Sequence, residues 1–173
     1  MSQVFRNIPD PTLEAVAKGV DFAKLTNLKE ESGMSDDEWK NAMVAIEKTR
    51  AGATAEDNRG SQLVLARRQQ FARSVLSPWP VIVIRCNVAR DYTLLYNAGV
   101  AMVNGTQAER ASALDFIDRF QLFDDDLRAA QLRLPKCNRY VHHEYMGHDY
   151  VIRHPEAVVP DVKWVMEHQK AEL

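Results

Sequence analysis

The apolar residues of this chain recur at helical spacing over much of its length. The clearest stripe repeats at intervals of three and four residues and consists of Trp39, Ala42, Met43 and Ile46. Ser35 and Glu38 precede it with the spacing of a capping box, and Gly52 follows as a stop signal. This pattern predicts a helix whose apolar stripe is buried in the core.

Capping residues and prolines divide the rest of the chain into further helices. Thr106 and Glu109 form a second capping box, and Asp124 begins an acidic run typical of a helix start. A long helix is expected from about residue 54 to residue 76, where the prolines of Ser77-Pro-Trp-Pro80 end it. A final helix is expected after Pro160.

Two segments predict strands. Val81–Ile84 is a β-branched run too short for a helix, and residues 139–154 alternate like a β-hairpin that turns near Gly147. The sequence therefore predicts a predominantly α (α+β) protein with about six helices. Its small sheet is formed by a short strand near 81–86 and the hairpin, and residues 1–173 form a single globular domain.

The composition favours a soluble globular protein. Of 173 residues 46% are hydrophobic and 27% charged, and the formal net charge of −2 predicts no bulk attraction to nucleic acid or anionic membranes. The two cysteines, Cys86 and Cys137, are too few for a disulfide framework, which favours a reducing compartment. Neither a signal peptide nor a membrane-spanning apolar run is recognised, so we expect a cytoplasmic location and no membrane partner.

An arginine-rich stretch is the first candidate binding surface. Between residues 50 and 90 seven arginines stand against two acidic residues, and on a continuous helix Arg67, Arg68 and Arg73 lie within two turns of one face. Such a face suits a protein partner, or less favourably nucleic acid, because no motif for base readout accompanies it. Trp79, held between two prolines, suits an interface anchor, although it could also plug the end of the core.

The second candidate surface is a cluster of histidines. Four of the five histidines fall within thirteen residues and are His142, His143, His148 and His154. The predicted hairpin places His143 and His148 on one face, where they could move a proton or, with His168, bind a metal. However, His143 and His148 are one residue further apart than the two histidines of the metalloprotease motif His-Glu-x-x-His. We therefore expect no metal and no cofactor, with the histidines packed as structural or interfacial residues.

The same segment resembles the ββα-metal (HNH) nuclease motif, in which a His-rich strand is paired with a later helix that bears a metal-ligand His. Here His142-His143 ends a candidate strand, and His168 lies on the candidate terminal helix. The resemblance covers the last third of the chain and implies a metal-dependent nuclease. The central Asn of that family is missing, because no Asn occurs after Asn138, and its absence puts the metal site in doubt.

The leading functional prediction is a small cytosolic non-enzymatic interaction protein, such as an accessory subunit, adaptor or inhibitor of a macromolecular partner. Its expected partner-binding residues are Trp79, Arg67, Arg68 and Arg73. One alternative is a metal- or histidine-dependent hydrolase or nuclease centred on the histidines of residues 142–154, with His143 and His148 as catalytic residues. Another is a nucleic-acid-binding module that uses the arginine face. The sequence contains no Gly-rich phosphate loop and no Gly-x-Ser-x-Gly.

Overall fold

The computed structural model describes residues 11–55, 64 and 67–169, which are mostly helical. In chain order the elements are α1 (Pro11–Val16), α2 (Phe22–Leu25), α3 (Leu28–Glu31), α4 (Asp36–Ala55), α5 (Gln70–Arg73), β1 (Val81–Cys86), α6 (Val88–Ala101), α7 (Gln107–Gln131), β2 (Asn138–His143), α8 (Tyr150–Arg153) and α9 (Pro155–Gln169). The predominance of helix is confirmed, although several one-turn helices raise their number above the predicted six. Of the helix predicted over 54–76, residues 56–63, 65 and 66 lie outside the described residues. The rest does not form the predicted continuous helix, because Gln69 and Ser74 have a left-handed backbone and α5 is limited to Gln70–Arg73.

The described strands form one two-stranded parallel sheet. β1 pairs with β2 in a register that sets Val81 opposite Asn138 and Cys86 opposite His143. The strand near 81–86 is confirmed, but the hairpin over 139–154 is wrong, because the chain turns after His143 and residues 150–153 form α8. The partner of β2 is a distant strand, reached through α6 and α7. A parallel pair requires such a crossover, whereas a hairpin needs only a tight turn.

The core lies where α1, α6 and α7 meet. Its buried residues are Leu13, Val16, Ala89, Ala113, Phe116 and Ile117. Tyr92 of α6 contacts Phe116 and Phe120 of α7, with ring centroids 5.4 and 5.0 Å apart. At Gly99 an added Cβ would lie 2.0 Å from the backbone oxygen of Val16. The close contact between α1 and α6 is therefore possible only because residue 99 has no side chain.

Helix α4 does not contribute the core face that its pattern predicts. Its capping box is confirmed, since Ser35 N donates to Glu38 Oε2 at 2.8 Å. Trp39 is half-buried, but Met43 and Ile46 are 37% and 53% exposed, so the prediction that the stripe lies in the core is wrong. Among the described elements none packs extensively on α4. The amphipathic pattern determines which face a partner would cover, but it does not supply the partner.

The acidic run at Asp124 lies inside a helix and does not begin one. α7 continues through it, and the buried Asp124 accepts a hydrogen bond from Arg85 Nε at 2.7 Å. Arg128 Nη2 lies 3.0 Å from the other oxygen of the same carboxylate. Two cations compensate the burial of this charge, so the predicted helix start at residue 124 is wrong. The last helix also starts earlier than predicted, at Pro155, and contains Pro160.

We expect Phe116→Ala to lower the free energy of unfolding by about 3–5 kcal/mol, because the change leaves a cavity in the aromatic core. Ile46→Ala, a control on the exposed face of α4, should cost about 1 kcal/mol or less. Urea unfolding followed by circular dichroism measures both values. A larger loss for Ile46→Ala than for Phe116→Ala would contradict this assignment of the core.

Candidate active site at the strand ends

A carboxylate and a histidine meet beyond the carboxyl ends of the two strands. Asp91 lies in the first turn of α6, which follows β1, and His148 lies in the turn that follows β2. The backbone N–H of His148 donates a hydrogen bond to Asp91 Oδ2 at 2.6 Å. In parallel sheets the carboxyl ends of neighbouring strands lie at one edge, where ligand sites of open α/β sheets are found.

Backbone and side-chain hydrogen bonds tie the two loops together. Asn87 N donates to the backbone oxygen of Met146 at 2.7 Å, and the Asn87 amide donates to that of Glu144 at 3.0 Å. The Asn87 side chain also caps α6 by accepting from Arg90 N at 3.0 Å. One asparagine therefore positions both the helix that carries Asp91 and the loop that carries His148.

Gly147 makes the close approach of the loop to Asp91 possible. A Cβ at this position would lie 2.1 Å from Asp91 Oδ1 and 2.6 Å from its carboxyl carbon. Any side chain would therefore displace either the loop or the carboxylate. The glycine expected as a hairpin turn instead has a packing role against Asp91.

The electrostatics of Asp91 are those of a buried acid. Its side chain is 7% exposed, and this burial raises the pKa of the carboxyl. The N–H of His148 and the charge of Arg90, whose Nη1 lies 3.4 Å from Oδ1, oppose the rise in pKa. A buried carboxylate with a shifted pKa beside a histidine is a recognised mark of functional sites.

The other histidines of the cluster contact tyrosine rings, and two of them share Tyr150. His143 stacks on the buried Tyr150 with ring centroids 4.0 Å apart, and His142 stacks on Tyr140 at 6.3 Å. The His154 ring is tilted against Tyr150 at 6.1 Å. Within the described part of the chain, the ring Nε2 of His143 is buried without a hydrogen-bond partner. His142 and His148 are exposed, and of these two His148 contacts Asp91, through its backbone N–H. His154 lines the cavity beside Asp91.

The predicted metal ligands do not form a cluster. His168 lies on α9 and stacks on Trp164 at 4.2 Å, where its Nδ1 is 2.8 Å from the backbone oxygen of Trp164. In the described ranges no three His, Cys, Asp or Glu side chains converge in a way that could hold a metal ion. His143, His148 and His168 are therefore not a ligand set in this structure.

Strand β1 carries one side chain that could serve as a nucleophile, the thiol of Cys86. Cys86 ends that strand opposite His143. Burial, followed by the charge of Asp91, raises the pKa of the Cys86 thiol. Because the thiolate is the reactive form, this environment disfavours Cys86 as a nucleophile.

The predicted partner-binding residues lie on the surface. Trp79 is 48% exposed, and Arg67, Arg68 and Arg73 are exposed as well. The arginines do not share one continuous helix, because Gln69 has a left-handed backbone with φ 49° and α5 begins only at Gln70. A left-handed residue interrupts the helical path, so the prediction that the three arginines share one helical face is wrong. Their partner-binding role stays a prediction.

A cavity of about 290 Å³ opens beside Asp91. Apolar side chains contribute one part of its lining, including Phe22, Leu25 and Leu94. Charged groups contribute another part, including Arg90, Glu31 and Arg153. The acid of the pair therefore lines a cavity that has both an apolar and a charged wall.

Sequence reasoning missed Asp91, and with it the pair. Asp91 follows β1 by five residues and His148 follows β2 by five residues, but these positions meet at one edge only when the two strands are paired in parallel. A hairpin over 139–154 would bring His148 back toward His143 and away from β1. With a parallel pairing of 81–86 and 138–143, Asp91 and His148 become neighbours.

Two curated proteins are similar to this chain. One, from Hormonema carpetanum, is described as "Probable transporter efuK"; it is 32% identical over 124 residues, which cover 71% of this chain and 18% of that protein. The other, from Gibberella zeae, is described as "AB hydrolase superfamily protein"; it is 26% identical over 140 residues, which cover 81% of this chain and 40% of that protein. The chain thus spans less than half the length of either relative.

No family model matches the chain, and no solved structure is similar to it. Among the helices of the described residues, none combines the length and the apolar character needed to cross a bilayer.

We expect Gly147→Ala to lower the free energy of unfolding by about 1–3 kcal/mol, because the new methyl group overlaps the Asp91 carboxylate. Gly52→Ala is the matched control, since nothing lies within 4 Å of a Cβ at that exposed position in α4. It should be neutral or stabilising by up to about 1 kcal/mol, as alanine favours helix over glycine. Equal effects of the two substitutions on urea unfolding would contradict the packing role of Gly147.

We expect Asp91→Asn to stabilise the protein at neutral pH. Because the folded-state pKa of Asp91 lies above its ordinary 3.8, the stability that it contributes is fully present below pH 3.8. That contribution is lost as the pH rises through the raised pKa. The difference in unfolding free energy between Asp91→Asn and wild type should therefore shrink from pH 7 toward pH 4. A difference in unfolding free energy that is the same at pH 4 and at pH 7 would contradict the raised pKa of Asp91.

Proposed function

We propose that Asp91 and His148 are the acid and the histidine of a hydrolase site of the α/β-hydrolase kind, acting on an acyl compound such as an ester. The observation that carries the proposal is the hydrogen bond from the backbone N–H of His148 to the Asp91 carboxylate at the carboxyl ends of neighbouring parallel strands. In α/β-hydrolases the triad follows the chain order serine, acid, histidine. Asp91 precedes His148 and each follows its own strand, which agrees with that order.

The chemistry assigned to the pair is general base catalysis. His148 takes the proton of an attacking hydroxyl as its oxygen bonds to the acyl carbon, and then gives that proton to the departing alcohol. Water repeats the step on the acyl intermediate, which releases the acid and restores the hydroxyl. Asp91 holds the His148 backbone through the N–H hydrogen bond, and its negative charge stabilises the positive charge of the imidazole while the proton is held. A buried carboxylate suits this role, because its interaction with imidazolium is little screened by water.

The proposal requires a nucleophile from another segment or chain. The sequence contains no Gly-x-Ser-x-Gly, and the raised pKa of Cys86 disfavours the thiol. Either outer edge of the sheet is a place where a further strand could add, because the sheet of the described residues has two strands only. Parallel sheets are normally larger and covered on both faces.

The similarity to the Gibberella zeae protein, which is described as an AB hydrolase superfamily protein, supports the hydrolase proposal. The leading prediction from sequence, a non-enzymatic interaction protein, remains the alternative and is supported by the exposure of Trp79. The two proposals differ in what they require of His148. A hydrolase needs its imidazole beside Asp91, whereas an adaptor does not.

We expect a chimera to report the role of the pair directly. In it, the segment of the Gibberella zeae relative that matches this chain is replaced by the chain, and hydrolysis of p-nitrophenyl butyrate is measured. Asp91→Asn and His148→Ala should each lower kcat by roughly 10²–10⁴-fold, the range found for removal of a histidine or its acid. His142→Ala is the matched control from the same segment and should change kcat by less than about two-fold.

A second measurement keeps the test valid if the chimera does not fold. In the unaltered chain, Asp91→Asn should shift the imidazole NMR signals of His148 and leave those of His142 in place. Equal responses of the two histidines in both experiments would reject the pair and favour the interaction protein.

A further inference from the structure

Arg153 lies in the wall of the cavity beside Asp91 with its guanidinium largely buried. Its side chain is 13% exposed, and Asp149 Oδ2 lies 3.9 Å from Nη2, which is beyond hydrogen-bond distance. Nη1 donates a hydrogen bond to Glu31 Oε2. A guanidinium presents its donors as a planar fork that matches the two oxygens of a carboxylate. Arg153 is therefore a carboxylate-binding group, and Glu31 is its outer partner.

Glu31 is held in this position weakly. Its side chain is 55% exposed, and it ends α3, a four-residue helix that packs on α2. Solvent screens the charge of an exposed carboxylate and weakens its ion pair. The carboxylate of a ligand can therefore replace Glu31 on Arg153 at a small cost in free energy.

The space next to Arg153 suits the rest of such a ligand. The cavity measures about 290 Å³ and is lined by Phe22, Leu25 and Leu94 as well as by Asp91. Ligand sites commonly combine an apolar wall with a few polar groups that fix orientation, at volumes from about 300 Å³ upward. A molecule with a short apolar body fits this space with one end at Arg153 and the other near Asp91.

We propose that the cavity binds a small molecule with an apolar body and a carboxylate head, and that Glu31 holds the place of this carboxylate in the free protein. The part of this inference that concerns the substrate rests on the proposed function. If that function holds, the substrate is an ester that carries a free carboxylate. Binding of a carboxylate at Arg153 requires neither a nucleophile nor turnover, so it can be tested on the chain by itself.

The test compares hexanoate with 1-hexanol, its uncharged counterpart, in NMR titrations of the full chain. Hexanoate should shift the methyl signals of Leu94 and bind more tightly than 1-hexanol. Glu31→Gln should tighten hexanoate binding by about two- to five-fold, because it removes the competing carboxylate. Glu30→Gln, an exposed neighbour on α3, is the matched control and should leave the Kd unchanged.

Arg153→Gln should weaken hexanoate binding by at least about ten-fold, which corresponds to the loss of charge-assisted hydrogen bonds. If that variant is unfolded, Arg153→Lys keeps the charge without the planar fork and should still weaken binding. Equal Kd values for hexanoate in wild type, Glu31→Gln and the Arg153 variant would overturn the proposal, as would equal binding of 1-hexanol. If Asp91 and His148 fail the chimera test while the hexanoate results hold, the hydrolase proposal falls and the carboxylate site stands.

Discussion

The parallel pairing of β1 with β2 is the constraint on which the rest of the structure depends. A parallel pair cannot be closed by a tight turn, so the chain between the strands must cross over the sheet. Here the crossover consists of α6 and α7, and these helices form the core together with α1. The same pairing places the ends of both strands at one edge. A shift of the register would disturb the hydrogen bond between Asp91 and His148.

The close contact at the strand ends has an energetic cost that the surrounding residues reduce. Asp91 is buried and its pKa is raised, so its ionised form is disfavoured in the folded state. The N–H of His148 and the charge of Arg90 offset part of this penalty. Gly147 contributes by having no side chain, which lets the loop lie against the carboxylate. Sites that hold a costly charge in place commonly exchange stability for function.

The described residues leave several apolar surfaces uncovered. Met43 and Ile46 on α4, Leu122 on α7 and Trp79 before β1 are all exposed. Met43 and Ile46 are three residues apart and share one face of α4, and contiguous exposed apolar surface usually marks an interaction site. Both functional proposals make use of that property, one by adding a segment that carries a nucleophile and the other by binding a separate partner. The chain spans 18% and 40% of the lengths of the two relatives. The activity of a protein of the relatives' full length is therefore a proposal.

The sequence determined the local elements of this protein well, because capping and strand propensity act over a few residues. Ser35 with Glu38 and Thr106 with Glu109 both form capping boxes, and Val81–Cys86 is a strand. Tertiary structure alone decided what each element packs against. The stripe on α4 met no extensive partner among the described residues, and the alternating segment near His143 paired with β1 and not with itself. Pairing depends on contacts between residues far apart in the chain, and local patterns carry no record of them. For that reason the histidines could be named from sequence, whereas the aspartate beside His148 could be found only in the folded structure.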